Sequence, residues 1–234
     1  KSIINSEIVM VPSIYAKDKI VELLKINKDK VEVNYLGIDQ NFIDNKKSNY
    51  YLKNFNYQNN YILSVLSCAR YHNILNLLSA FKKFKLENNT DIKLVLVLSI
   101  LDGGYYMKIK NFLNMNFDKN EIIILSNIEN YYLVNLYRHS KLYIFTSYNE
   151  VFGFTSLEAM SQETPVLVSK NSALTEVNRD AVEYFDPDNI LQIKDKIKQL
   201  VFDETIKKEL VNKGKIHFKK FNWNNHIKNF LKLI

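Results

Sequence analysis

The chain has 234 residues, 47% of them hydrophobic and 24% charged, with a formal net charge of +7; this excludes intrinsic disorder and fits one large α/β domain with little left over. Its longest apolar runs, such as Leu94–Leu98 and Ile122–Leu125, fall far short of the roughly 20 residues a membrane-spanning helix needs. Cys68 is the only cysteine, which excludes an internal disulfide and makes a reducing cytoplasm the expected compartment.

From the N-terminus, Lys1–Asn5 carries a charge, but no apolar stretch of signal-peptide length follows it. Ile8–Val11 and Val31–Tyr35 read as short strands. The asparagine- and lysine-rich stretch Asn45–Asn60 has no periodicity and reads as a linker or surface loop. From Tyr61 the pattern changes. Apolar runs at Tyr61–Leu66, Leu94–Leu98, Ile122–Leu125, Leu142–Phe145 and Val166–Val168 alternate with segments of three-to-four spacing, such as Ile74, Leu77, Leu78, Phe81 and then Leu133, Leu136, Tyr137. Strand–helix alternation implies parallel pairing through right-handed crossovers. Tyr61–Phe185 is therefore expected to form a doubly wound, Rossmann-like parallel sheet that binds ligand beyond the carboxyl ends of its strands. Ile190–Ile234 reads as helical, with Ile190, Ile193, Ile197 and Leu200 on one face, Gly214 as a break and Trp223 as an apolar anchor against the domain.

The positive charge lies in lysine groups such as Lys82, Lys83, Lys85 and Lys207, Lys208, Lys213, Lys215, Lys219, Lys220. These read as solvated helix faces before they read as a patch for lipid headgroups, and no recognised module with a basic, aromatic-interleaved stripe points to nucleic acid. Asp186-Pro187-Asp188 reads as a turn with Asp188 or Asn189 capping the next helix, and Asp102-Gly103-Gly104 as a strand-to-helix turn or a ligand-side loop. His139, His217 and His226 lack a second ligand at metal spacing, and Cys68 lacks evident His and acid partners for nucleophilic chemistry.

The informative stretch is Glu150-Val151-Phe152-Gly153-Phe154-Thr155-Ser156-Leu157-Glu158-Ala159-Met160, between a buried strand and a helix. One of only five glycines in the chain sits in this turn, where it lets backbone approach a ligand. The free N–H groups from about Phe154 to Ser156 would form an anion site suited to a diphosphate. Two readings of the carboxylates stand side by side. Glu158, three residues after Thr155, completes a capping box that satisfies backbone donors, and Glu150 is a solvated loop residue. Alternatively, both contact sugar or ribose hydroxyls, as strand–loop–helix sites often arrange.

Two glutamates with seven residues between them, the intervening Phe-Gly-Phe and the Leu-Glu-Ala-Met that ends the stretch resemble the signature of glycosyltransferase family 4. Leu136-Tyr137, Ser140, Thr146-Ser147, Thr164-Pro165-Val166, Ser169, Thr175-Glu176-Val177 and Asp180-Ala181 resemble that family in the same order, and Ser13 and Leu36-Gly37-Ile38-Asp39 to Phe42 do so more faintly. The resemblance implies the C-terminal half of a retaining enzyme with two Rossmann domains, the GT-B architecture, with residues 1–60 as the end of the N-terminal domain, crossover and linker and 61–234 as the nucleotide-sugar-binding domain. It implies transfer from a nucleoside-diphosphate sugar, without a metal or other cofactor, to a glycan or lipid-linked acceptor in bacterial surface polysaccharide or glycolipid assembly. Contact with the inner membrane face is compatible with the basic surface. A catalytically silent module of the same fold is the alternative.

By the same resemblance, Glu150 would meet the donor sugar's hydroxyls, Glu158 the ribose, and Phe152, Gly153, Phe154 and Thr155 the sugar and phosphate. The stretch around Ile128 would meet the base through backbone. The family's phosphate-binding arginine and lysine fall on Ser67 and His72, so that Arg70 and His72 either supply that role or merely decorate the loop and cap the next helix. Glu163 replaces the family's usual small residue at a helix end. The acceptor-binding domain would precede Ser6–Ser13, which resembles its last strand, so the chain alone would bind donor and transfer nothing.

Overall fold

The computed structural model describes residues 2–44, 51–53, 55–56 and 60–233. The expected linker from Asn45 to Asn60 therefore lies largely outside the described residues.

In chain order the elements are α1 (Ser2–Asn5), β1 (Val9–Val11), α2 (Ile14–Leu24), β2 (Val31–Val33), α3 (Gln40–Asp44), β3 (Tyr61–Cys68), α4 (Ile74–Asn88), β4 (Lys93–Ile100), α5 (Gly103–Asn116), β5 (Ile122–Ser126), α6 (Asn130–Arg138), β6 (Leu142–Phe145), α7 (Phe154–Ser161), β7 (Val166–Ser169), α8 (Ser172–Asn178), β8 (Glu183–Phe185), α9 (Ile190–Phe202), α10 (Glu204–His217) and α11 (Trp223–Phe230).

Six parallel strands lie in the order β5-β4-β3-β6-β7-β8. The chain winds outward from β3 to β5, returns to β6 and winds the other way, so strand order reverses between β3 and β6. Those two strands pair only at Ile62–Leu142 and Leu63–Tyr143, although β3 continues to Cys68. Ser64 Oγ bridges them by donating to Ile144 O at 2.7 Å. A crevice therefore opens at the carboxyl ends of the two strands, the position where doubly wound sheets bind ligands.

Central strands bear fully buried apolar runs, as at Leu94–Leu96 and Leu142–Ile144, because helices cover both faces of a parallel sheet. The edge strand β5 is only half-buried. β8 was not foreseen as a separate strand: of its three residues only Phe185 is buried, too few to make an apolar run.

β1 and β2 form a separate two-stranded parallel sheet with its own small cluster of Val11, Ala16 and Val31. Several contacts tie it to the larger sheet. The Glu176 carboxylate accepts from the N–H groups of Ile14 (2.7 Å) and Tyr15 (3.0 Å) and from the Tyr35 hydroxyl (2.7 Å). Ser13, the N-cap of α2, donates its hydroxyl to Val151 O at 2.7 Å. At the far end, Ile38 N donates to Phe221 O at 3.2 Å. Gly37 sits so close to the start of α11 that a Cβ there would lie 2.3 Å from Trp223 N.

The tail departs from expectation at two positions. α10 runs unbroken through Gly214, whose bare Cα face lies against Met160, 3.1 Å from where a Cβ would stand; this glycine allows helix contact and does not end the helix. Trp223 remains 43% exposed, with one edge covering Gly37, so Phe218 and Phe221 provide the buried anchors here.

Lysines of α10 are laced to carboxylates: Lys213 to Glu209 (2.8 Å) and Asp180 (3.7 Å), Lys215 to Glu163 (2.9 Å), and Lys207 to Glu204. Glu163 has φ 64°, a left-handed conformation unusual for glutamate, which explains why a small residue would suit that helix end. No helix among the described residues is long and apolar enough to cross a membrane.

Candidate functional site

A cleft of about 450 Å³ occupies the crevice, lined by the ends of β3 and β4, the turn after β5, and the loop and first turn of α7. Pro12 and Leu36 contribute to its wall from the smaller sheet. Of the residues singled out from sequence, Glu150, Phe152, Gly153, Phe154, Thr155, Glu158, His72 and Ile128 all line it.

Arg70 does not. Its side chain is 74% exposed, with Nε 3.8 Å from Asp102 Oδ2. The 3₁₀ turn Arg70–His72 faces His72 inward and leaves Arg70 to solvent. That turn is fixed by the strand-end residues: Thr146 Oγ1 donates to His72 O (2.8 Å) and Tyr148 N to Tyr71 O (2.6 Å). The same bonds bring the turn against the loop that carries Glu150.

His72 Nδ1 lies 3.6 Å from Glu150 Oε1, and both atoms are buried without a hydrogen-bond partner among the described residues. Burial pushes His72 down to about 4, so the ring is neutral at pH 7 and the pair is not an ion pair. Burial also raises Glu150, with the Ser147 hydroxyl partly offsetting it. The loop is held at both ends of Glu150, since its N–H donates to Ser172 Oγ (3.1 Å) and its carbonyl accepts from Ala173 N (3.2 Å).

α7 begins at Gly153, which has φ 89° and ψ 53° and makes no side-chain cap bond. A Cβ there would meet Leu174 Cδ2 at 2.5 Å, so both conformation and space demand glycine. Among the described residues no acceptor faces the Phe154 and Thr155 N–H groups, and these unpaired donors, with the helix dipole, make an anion-binding end. The capping-box reading fails. Thr155 Oγ1 is buried without a partner of good geometry, while Glu158 Oε2 turns away from the helix end to accept from the Tyr137 hydroxyl at 2.9 Å. Burial lifts Glu158 to about 7, the Tyr137 bond opposing and Asp39 adding to the rise.

The cleft is thus acidic on one side and rich in backbone donors on the other. No lysine or arginine among the described residues lines it. Asn127, at φ 56°, turns the chain after β5 so that Ile128 reaches the cleft.

The remaining candidates are structural. Asp102 caps α5 by accepting from Tyr105 N at 2.9 Å, and Asn189 caps α9 by accepting from Gln192 N at 3.0 Å. Asn73 sits at the start of α4 but bonds Pro187 O at 2.7 Å instead of capping. His217 Nε2 contacts Val177 O at 2.6 Å, and His226 Nδ1 contacts Tyr35 O at 3.1 Å. Among the described residues no group of three His, Cys, Asp or Glu side chains is placed to hold a metal ion. Cys68 is buried and its thiol is raised by burial, then by Asp102, which leaves it unreactive. Two residues to which the sequence assigned no role prove central: Tyr137, behind Glu158, and Glu176, which clamps α2. Both bonds join residues far apart in sequence.

A family model described as glycosyl transferases group 1 matches residues 51–232. The chain is 24% identical over 228 residues to O-antigen chain mannosyltransferase B of Escherichia coli, covering 96% of this chain and 59% of that protein. Among solved structures it is similar to a glycosyltransferase from Rickettsia africae, with a TM-score of 0.84 and 19% identity over 98% of this chain and 63% of that one. It is also similar to an E. coli structure described as trehalose-6-phosphate bound with UDP-2-fluoro glucose, with a TM-score of 0.81 and 10% identity over 97% of this chain and 60% of the other. The chain therefore spans less than two thirds of the length of each.

Proposed function

The chain belongs to the group 1 glycosyl transferases, of GT-B architecture, and on that premise we propose that it is the nucleotide-sugar-binding half of a retaining glycosyltransferase. The observation that carries this reading is the α7 entrance: N–H groups at Phe154 and Thr155 without an acceptor among the described residues, flanked by the Glu150 and Glu158 carboxylates in one cleft. The N–H groups would hold the diphosphate and stabilise it as leaving group. Glu158 would accept from the ribose hydroxyls and Glu150 from the sugar, with Gly153 allowing close approach. Ile128 would flank the base. His72, a neutral ring, would donate a hydrogen bond to the sugar or the diphosphate beside Glu150, whereas Arg70 would have to leave Asp102 to reach a phosphate. Residues 1–60 would end an acceptor-side domain and cross over to the donor domain at 61–234.

A bacterial surface polysaccharide or lipid-linked glycan is the acceptor class that the O-antigen mannosyltransferase relative supports, and UDP-2-fluoro glucose in a structural neighbour supports a nucleoside-diphosphate sugar as donor. A catalytically silent binding module is favoured by one observation, the absence of lysine and arginine from the cleft lining among the described residues.

Thermal stabilisation of the chain by uridine, guanosine and adenosine diphosphates and their sugar conjugates tests the proposal. Selective stabilisation by one nucleotide, lost in Glu158→Ala, is expected. A folded chain that none of them stabilises would overturn donor binding and leave the silent module.

A further inference from the structure

Behind the cleft stand two tyrosines that the proposed chemistry does not touch, Tyr137 and Tyr143, both fully buried. Their rings meet edge to face at 5.3 Å. Tyr137 is fixed on every side. Phe42 packs against its ring at 6.0 Å, and its backbone carbonyl accepts from both Ser140 Oγ (2.7 Å) and Thr164 Oγ1 (2.6 Å). Its hydroxyl has one hydrogen bond, donated to Glu158 Oε2 at 2.9 Å. Among the described residues the Glu158 carboxylate receives no other hydrogen bond.

We propose that Tyr137 is the positioning residue for Glu158, aiming one carboxylate oxygen into the protein so that the other faces ligand hydroxyls in the cleft. A carboxylate with one oxygen anchored presents its second in a fixed direction, which spares a bound ligand the cost of ordering it. The phenol O–H donates a stronger hydrogen bond to a carboxylate than to a neutral carboxyl group, so this bond favours the ionised form of Glu158. Tyr143 supports the ring of Tyr137 from the sheet side. The ligand side of this inference rests on the donor-binding reading above; the effect on Glu158 in the empty protein does not.

The test compares Tyr137→Phe with the parent chain. In ligand-free protein labelled with ¹³C-carboxyl glutamate, the Glu158 resonance, identified by its loss in Glu158→Gln, is titrated by NMR. Loss of the donated bond is expected to raise its midpoint by about one pH unit. Affinity for the nucleotide sugar that stabilises the chain is expected to fall about tenfold at pH 7, with no further fall when Tyr137→Phe is added to Glu158→Gln. An unchanged midpoint, or an equal fall in both backgrounds, would overturn the proposal, because a merely structural tyrosine would move neither the titration nor the coupling. Should no nucleotide sugar bind the parent chain, the donor reading falls while the titration still decides the role of Tyr137. Were Tyr137→Phe to misfold, 3-fluorotyrosine at position 137 replaces it; its more acidic phenol is a stronger donor and should lower the midpoint.

Discussion

His72 Nδ1 and Glu150 Oε1 face each other at 3.6 Å, too far for a hydrogen bond, and neither atom has another partner among the described residues. Buried polar atoms left in this state cost about 1–3 kcal/mol each. A ligand hydroxyl bridging them would donate to the carboxylate and accept from the ring N–H, satisfying both atoms at once. On the donor-binding proposal, a sugar hydroxyl would fill this gap.

Acid should destabilise the fold through His72. Its folded-state pKa is about 4 against an ordinary 6.5, so between these values the unfolded chain binds a proton that the folded chain does not. Stability is expected to fall as pH drops from about 6.5 to about 4. His72→Asn should lose less stability across that window than the parent, read from urea midpoints at pH 7 and pH 4.5.

Glu158 has the opposite sign. Its pKa rises from 4.5 to about 7 on folding, so the folded chain holds the extra proton, and the stability this gives is lost as pH rises from about 4.5 to about 7. Glu158→Gln should match the parent near pH 4.5 and exceed it at pH 8 by roughly 1–3 kcal/mol. Nucleotide-sugar binding should run the other way, tightening between pH 6 and pH 8 as the carboxylate ionises. Calorimetry should show that dependence flattened in Glu158→Gln; equal slopes in both proteins would remove Glu158 from the binding contacts.

Gly153→Ala places a Cβ 2.5 Å from Leu174 Cδ2 at φ 89°. A loss of about 1–3 kcal/mol is expected, together with weakened nucleotide binding, because relief of the clash shifts the Phe154 and Thr155 N–H groups.

His72→Lys would bring a cation into a cleft with no lysine or arginine in its lining among the described residues. Affinity for the nucleoside diphosphate is expected to rise about tenfold. A rise for the diphosphate but not for the nucleoside, measured by titration calorimetry, would locate the phosphates near His72.

Glu176→Ala removes the acceptor of three donors, Ile14 N, Tyr15 N and Tyr35 OH. Hydrogen bonds to a charged group are each worth about 1.5–3 kcal/mol, part of which water recovers at this half-exposed place. Hydrogen exchange should quicken in residues 14–35 while β3 and β4 keep their protection.

The parallel sheet was legible because two-sided burial writes unbroken apolar runs into β3, β4, β6 and β7. The location of the cleft followed from their alternation with helices, and the Glu150–Glu158 stretch marked its rim. Local spacing left two readings open at Thr155 and Glu158, because the capping box and the actual arrangement share one sequence pattern. What separates them is the Tyr137 hydroxyl, which comes from another helix. Which of Arg70 and His72 faces the cleft was not legible for a similar reason, since a 3₁₀ turn decides which of its side chains points in. The Glu176 clamp joins residues 162 and 161 positions apart, a distance no periodicity reports.

The seat of Gly37 against Asn222 and Trp223, with Asn34 Nδ2 donating to His226 O, binds early chain to late. During synthesis, residues 34–38 leave the ribosome long before their partners at 221–226 exist. The β1–β2 and β3–β4 pairings can form meanwhile from contacts closer in sequence, but the contact with α11 waits. The seam between residues 34–38 and α11 is thus a long-range contact that closes after the local pairings it joins.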